Sequence, residues 1–141
     1  VAGTWAPGQV VGQPTCAYDP GRKQLVLQYQ NSTTHSQVNG ATLQVKSQDN
    51  GVTWSAPELL DPFLGQFKGV FPGPGTALVL SSKSKVPGRY VFPAWGVRGS
   101  SIYDMVSYSD DGGQTYVSMI VHVCAVSLFW ARATFVQHRL Q

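Results

Sequence analysis

The chain carries one eight-residue pattern twice, and that repetition constrains its fold more than any other feature. Ser47-Gln48-Asp49-Asn50-Gly51-Val52-Thr53-Trp54 returns as Ser109-Asp110-Asp111-Gly112-Gly113-Gln114-Thr115-Tyr116, with the starts 62 residues apart. Both copies fit S-x-D-x-G-x-T followed by an aromatic residue, so five of eight positions are specified. A pattern recurring at that spacing implies one supersecondary unit used twice. The residue types are those of a hairpin turn. Asp49 and Asp111 can fold their carboxylates onto the next backbone N–H groups. Gly51 and Gly113 supply positive φ without steric cost. Ser47, Thr53, Ser109 and Thr115 bring hydroxyls that can tie the arms together. Trp54 and Tyr116 are expected to start the outgoing strands and bury a ring beneath each turn. A calcium loop is the functional alternative, but neither copy has the third ligand or the later Glu of an EF-hand, so no metal site is predicted.

A chain of 141 residues makes one domain at most. Its 43% hydrophobic content suits a packed core, and its 12% charged content is low. The net charge of +3 comes without a basic run, so nucleic-acid binding is not expected. Cys16 and Cys124 are too far apart for a CxxC site. Two buried thiols and one long-range bridge both remain open. His35, His122 and His138 lack Cys or His partners at ligand spacing, which argues against zinc. No Ser-His-Asp arrangement follows from their order. Asn31-Ser32-Thr33 is a glycosylation sequon, relevant only in a secreted chain.

Strand signals run through the chain in two rounds. Residues 1–13 read as a loop, Pro14–Tyr18 as a strand, and Asp19-Pro20-Gly21 as a turn. Gln24–Gln30 alternates Leu25, Leu27 and Tyr29 against Val26, Gln28 and Gln30. Asn39-Gly40 closes a polar loop, and Ala41–Lys46 alternates with Ala41, Leu43 and Val45 predicted to face inward. Val52–Leu60 runs out of the first octet, held to an edge by Pro57. The second round follows: a strand in Val70–Ser82 entered through Phe71-Pro72-Gly73-Pro74-Gly75, then Arg89–Trp95, Ser101–Tyr108 and Tyr116–Val121. No helical period precedes residue 116. Two four-stranded meanders in succession predict all-β architecture, with two blades of a β-propeller, one over about 10–60 and one over about 69–121.

Residues 117–141 differ in kind. Every Gly, Pro and acidic residue lies before position 117, and Met119–Ala131 is nearly unbroken apolar sequence. That run is shorter than the roughly 20 residues of a membrane-spanning helix. The tail is expected to be foreign to the repeat, from an alternative or aberrant end of the reading frame. The chain opens at Val1 with no Met and no signal-peptide pattern, and is expected to be a fragment.

The octets resemble the Asp boxes of exo-α-sialidases, or neuraminidases. Three other stretches sharpen the likeness. Gln13-Pro14-Thr15-Cys16-Ala17-Tyr18-Asp19 is similar to the N-P-x-x-x-Y-D segment before the family's first Asp box. Phe71-Pro72-Gly73-Pro74-Gly75 looks like its G-P-G segment, and Arg89–Gly96 resembles its L-V-x-P-A-Y strand. The resemblance covers roughly residues 1–116, is strongest over 44–116, and leans to the animal-type enzymes. It implies a six-bladed propeller of which this chain holds about two blades. It also implies hydrolysis of terminal sialic acid from glycoproteins, glycolipids and oligosaccharides, with a Tyr nucleophile, a Glu assisting it, an Asp acid/base and three Arg on the substrate carboxylate.

The parts of that machinery fall outside the matched stretch. Glu58 is the only Glu, and it follows the first octet on an outgoing strand. No catalytic residue is therefore carried over, and the chain alone is expected to be inactive. Three positions match the family's substrate wall. Trp95 stands where a Tyr often lines the pocket for the sugar's glycerol arm, or else packs between blades. Gln13 replaces an Asn near the N-acetyl pocket. Gln66 falls near a Glu of the same sub-site. A sialylated glycoconjugate is the implied partner, no cofactor is implied, and exposed blade faces are expected to favour self-association. A second reading is a non-catalytic Asp-box module that binds glycan or protein.

Overall fold

A computed structural model of the chain describes residues 10–32, 40–60, 67, 69–73 and 75–124, without the side chains of 122–124. The described residues are all-β. The strands are β1 (Val10–Asp19), β2 (Gln24–Ser32), β3 (Gly40–Ser47), β4 (Glu58–Leu59), β5 (Gly69–Pro72), β6 (Gly75–Thr76), β7 (Leu78–Val79), β8 (Tyr90–Arg98), β9 (Ser101–Ser109) and β10 (Val117–Cys124). One sheet has the order β4-β3-β2-β1-β6 and the other β10-β9-β8-β5, with β7 also on β8. Each octet joins a third strand to a fourth, β3 to β4 and β9 to β10. The two sheets are successive blades of a propeller.

Several boundaries differ from expectation. Val10–Gln13, read as loop, belongs to β1, which pairs with β2 across an irregularity between Gly12 and Thr15. The outgoing strands begin later than the aromatic residues of the octets, at Glu58 and Val117. The composition break at Val117 does not end the sheet, because Val117–Cys124 pairs with β9. Residues 125–141 lie outside the described ones, and among the described residues no helix is long and apolar enough to cross a membrane.

The single strand expected in Val70–Ser82 is three short ones, because the segment changes partner twice. β5 pairs with β8, β6 crosses to run parallel to β1, and β7 returns to β8. The crossing explains how Pro93 sits inside β8. Pro93 has no N–H to give the Gly73 carbonyl opposite it, and its own carbonyl accepts from Gly73 N at 2.8 Å. Gly73 lies so close that an added Cβ would meet the Pro93 ring at 3.1 Å. Across the same seam, the Thr15 hydroxyl donates to the Gly73 carbonyl.

The faces of β2 and β3 are a correction. The expected inward row Ala41, Leu43 and Val45 is not the one between the sheets. Val45 is buried, but Ala41 and Leu43 are only half-buried on the outer face. The inter-sheet row is Gln24, Val26, Gln28 and Gln30 on β2 with Thr42 and Gln44 on β3, all buried. Against it stand Val70, Tyr90, Phe92, Met105 and Tyr116 of the second sheet. A buried amide without a partner costs roughly 1–3 kcal/mol, which favours a bonded row, although Gln28 Nε2 finds no partner among the described residues. Much of the row is bonded. Gln24 Nε2 donates to the Gly112 carbonyl at 3.2 Å, Gln44 Nε2 to the Gly113 carbonyl at 2.8 Å, and Thr42 Oγ1 to the Val70 carbonyl at 2.5 Å.

Asp19 forms a second link between the sheets. Its carboxylate accepts from Gly21 N, Arg22 N, Arg22 Nη1 and, at 2.8 Å, the Tyr90 hydroxyl of β8. Burial works against the Asp19 charge, but those bonds outweigh it and hold the carboxyl below its ordinary range. Burial, then the Asp19 carboxylate, pushes Tyr90 up to about 12.

The octets close as their residue types require. Asp49 accepts from Thr53 N at 2.8 Å and Thr53 Oγ1 at 2.5 Å, and Ser47 Oγ donates to it at 2.8 Å. Asp111 accepts from Thr115 N, Thr115 Oγ1 and Ser109 Oγ at 2.9, 2.5 and 2.7 Å. Ser47 Oγ and Ser109 Oγ accept from Gly51 N and Gly113 N, each at 2.8 Å. Two consecutive left-handed residues make each bend, Asn50 and Gly51 at φ 59° and 86°, Gly112 and Gly113 at 76° and 82°. The Thr53 hydroxyl and amide and the Ser47 hydroxyl hold Asp49 at about 2. Burial opposes the Asp111 charge, yet the Thr115, Ser109 and Gln114 donors keep its carboxyl well below the usual carboxylate range.

Depressed carboxyl pKa values stabilise the fold above the unfolded value of about 4, and that contribution is lost as pH falls through the folded values. Thermal midpoints of the chain should therefore drop between about pH 4 and pH 2. Asp49→Asn should shallow that drop; an unchanged profile in the variant would contradict this assignment. Asp111→Asn should lower the midpoint at neutral pH more than Asp49→Asn does, because the second turn also holds the first sheet. Differential scanning calorimetry of the two variants checks the order.

Candidate functional site

The strand register gives the pair of sheets two ends. One holds both octets, Asp19, Arg22 and Tyr90. The other holds the start of β1, the ends of β2 and β8, and the starts of β3 and β9. Two of the three predicted wall residues meet at this second end. Trp95 Nε1 donates to Gln13 Oε1 at 3.0 Å, across 82 residues of chain. Gln66 lies outside the described residues.

The pair is held from both sides. The Trp95 ring packs on the Phe71 ring at 4.5 Å between centroids, its register partner on β5. Phe71 is buried, and Gly40 of β3 approaches it so closely that a Cβ would lie 2.5 Å from the ring. Gln13 sits at the β1 irregularity with φ 52°, a left-handed conformation that a non-glycine residue adopts at a cost of about 1–2 kcal/mol. Its side-chain oxygen is taken by the indole, which leaves the Gln13 side-chain nitrogen as the group able to donate elsewhere. Both residues remain half-buried rather than sealed.

The other marked residues have placements of their own. Asn31 lies within β2, half-buried and flanked by Val11 and Ala41, rather than on a loop; Thr33 of its sequon lies outside the described residues. Glu58 is exposed on β4, 3.4 Å from Lys46 Nζ. Arg22 is paired with Asp19, and Arg89 makes two 2.7 Å bonds to Asp110 while its guanidinium stands 4.0 Å over the Tyr108 ring. Arg98 is exposed at the end of β8. Cys16 is half-buried, and burial raises its thiol; the Cys124 side chain lies outside the described ones. Among the described residues no group of His, Cys, Asp and Glu is placed to hold a metal ion.

The Asp19–Arg22–Tyr90 cluster and the bonds of Gln24 and Gln44 were missed by sequence reasoning. Gln at three of the four alternate positions 24, 26, 28 and 30 of β2 was a signal that this strand buries amides.

Trp95→Phe keeps the ring on Phe71 and removes the donor to Gln13, which should cost about 1 kcal/mol of stability. Adding Gln13→Gly should recover part of that loss, since glycine accepts φ 52° without strain. Urea denaturation of the single and double variants measures both, and a double variant weaker than Trp95→Phe alone would contradict the strained-wall account.

No protein-family model matches the sequence, and no curated protein matches it. Solved structures do match. A Hadza microbial sialidase, Hz136, superimposes with a TM-score of 0.70 and 17% identity, over 82% of this chain and 25% of its own. A Trypanosoma rangeli sialidase in complex with sialic acid gives 0.62 and 21%, over 80% and 21%. A mutant of the Trypanosoma rangeli sialidase displaying trans-sialidase activity gives 0.55 and 23%, over 77% and 20%. The chain thus spans a quarter to a fifth of the length of these structures. Over that length its two sheets have the sialidase fold.

Proposed function

We propose that this chain is part of an exo-α-sialidase whose reaction releases terminal sialic acid from glycoproteins, glycolipids and oligosaccharides. One observation carries the reading: a sialidase superimposes on 82% of the chain at a TM-score of 0.70. The Asp-box pattern of the octets and the order of the other matched stretches support it. In this reading blade one is residues 10–60 and blade two 69–121.

Gln13 and Trp95 line the wall that receives the sugar, and Gln66 is the third residue that the resemblance assigns to it. The indole N–H fixes Gln13 Oε1, so the Gln13 amide N–H is turned to donate to a ligand acyl oxygen. The chain alone does not hydrolyse sialosides. Glu58 is committed to Lys46, and Arg22 and Arg89 to their own aspartates. None of them is placed to activate a Tyr or clamp a carboxylate. The open sheet faces carry exposed Tyr18, Leu59, Val117 and Met119, and a second copy of the chain is their proposed occupant when it is alone in solution.

The alternative is a non-catalytic Asp-box module for glycan or protein. Coding sequence flanking this chain decides between them. The missing Arg, Glu and Tyr would support the sialidase, and further octet-bearing blades without them would support the module. The purified 141-residue chain should leave a fluorogenic sialoside uncleaved. Measurable release of the fluorophore would overturn the inactivity claim.

A further inference from the structure

The two octets place the same carbonyl in different hands. In the first, the Gly51 carbonyl accepts from Trp54 Nε1 at 3.0 Å, so the turn caps itself with its own last residue. In the second, the equivalent Gly113 carbonyl accepts from Gln44 Nε2 of the other sheet at 2.8 Å. Tyr116, at the position of Trp54, sends its hydroxyl to Gln44 Oε1 at 2.5 Å. One amide is thereby held at both ends, its oxygen by the ring and its nitrogen by the bend. Gln44 and Tyr116 are both buried, while Trp54 is half exposed. The joint leaves no room for a side chain at position 113, because an added Cβ on Gly113 would lie 2.9 Å from the Tyr116 hydroxyl and 3.4 Å from Gln44 Oε1.

We propose that the aromatic residue closing each octet is a docking key. Trp closes the turn on itself and leaves it indifferent to the neighbouring blade. Tyr has no ring N–H, and its hydroxyl is given to Gln44 Oε1, so the carbonyl of the bend is left to an amide on the third strand of the preceding blade. The partner of a Tyr-type octet is thus a blade carrying a buried Gln at the position of Gln44. Arg22 and Gln24 add to the same joint, the first packing on Gly112 and the second donating to its carbonyl.

The test is a pair of thermal-unfolding cycles on the full chain. Gln44→Leu should lower the midpoint by about 3–6 °C in the parent, the size of one or two lost buried hydrogen bonds in a domain of this length. In a Tyr116→Trp background, where the indole N–H takes the Gly113 carbonyl, the same substitution should shift the midpoint by less than half as much. Equal shifts in both backgrounds would overturn the proposal. If Tyr116→Trp does not fold, exchange of the Gln44 side-chain amide decides instead. The protons should exchange at least about tenfold more slowly in the parent than in Tyr116→Phe, with Trp54→Phe leaving them unchanged. Equal exchange in the parent and Tyr116→Phe, or faster exchange in Trp54→Phe, would overturn it.

Discussion

Everything in this structure depends on burying amides between two sheets. Blade faces pack on each other across a wide, flat contact, and aliphatic side chains alone would fill it without fixing its register. Here one face sets glutamines and Thr42 around Val26 and Ala17, and the other sets rings and backbone carbonyls beside Val70 and Met105. Gln24, Thr42 and Gln44 each find a carbonyl of the second sheet, at Gly112, Val70 and Gly113. Such bonds add modest net stability, but an alternative packing would leave the amides unpaired. The interface therefore specifies one relative placement of the sheets. That placement brings Gln13 of the first sheet to Trp95 of the second.

The octets serve this interface as well as their own hairpins. The carboxylate of each collects the amide and hydroxyl of a Thr four residues on, which fixes the bend. Once fixed, the second bend is a rigid set of acceptors for the first sheet. Asp19 works in the same way at the neighbouring corner, where one carboxylate closes a local turn and also receives the Tyr90 hydroxyl. A turn that has satisfied its own donors can be used as a part in a larger joint.

Much of this was legible in the chain itself. The octet spacing gave the blade repeat, and the Asp, Gly, Ser and Thr positions gave the turn chemistry. Gln13 and Trp95 were marked by resemblance to sialidases, and the structure joins them with a hydrogen bond that neither the resemblance nor the spacing contained. Reading the faces failed for a physical reason. Apolar alternation assigns Ala41, Leu43 and Val45 to the core, but a blade is covered on both sides, so apolar residues do not distinguish the inner face from the outer. The inner face of this blade is the amide row. The three-part strand around Gly73 was also illegible, because it depends on β1 offering a parallel edge that lies far away in sequence.

Native-state hydrogen exchange of the backbone tests the account most directly. If the amide row joins the sheets into one cooperative body, the central amides of β2 and β8 should share the same highest opening free energy and respond together to denaturant. Opening of β2 and β3 at distinctly lower free energy than β8 and β9 would mean that the sheets are separate units in contact, and would contradict it.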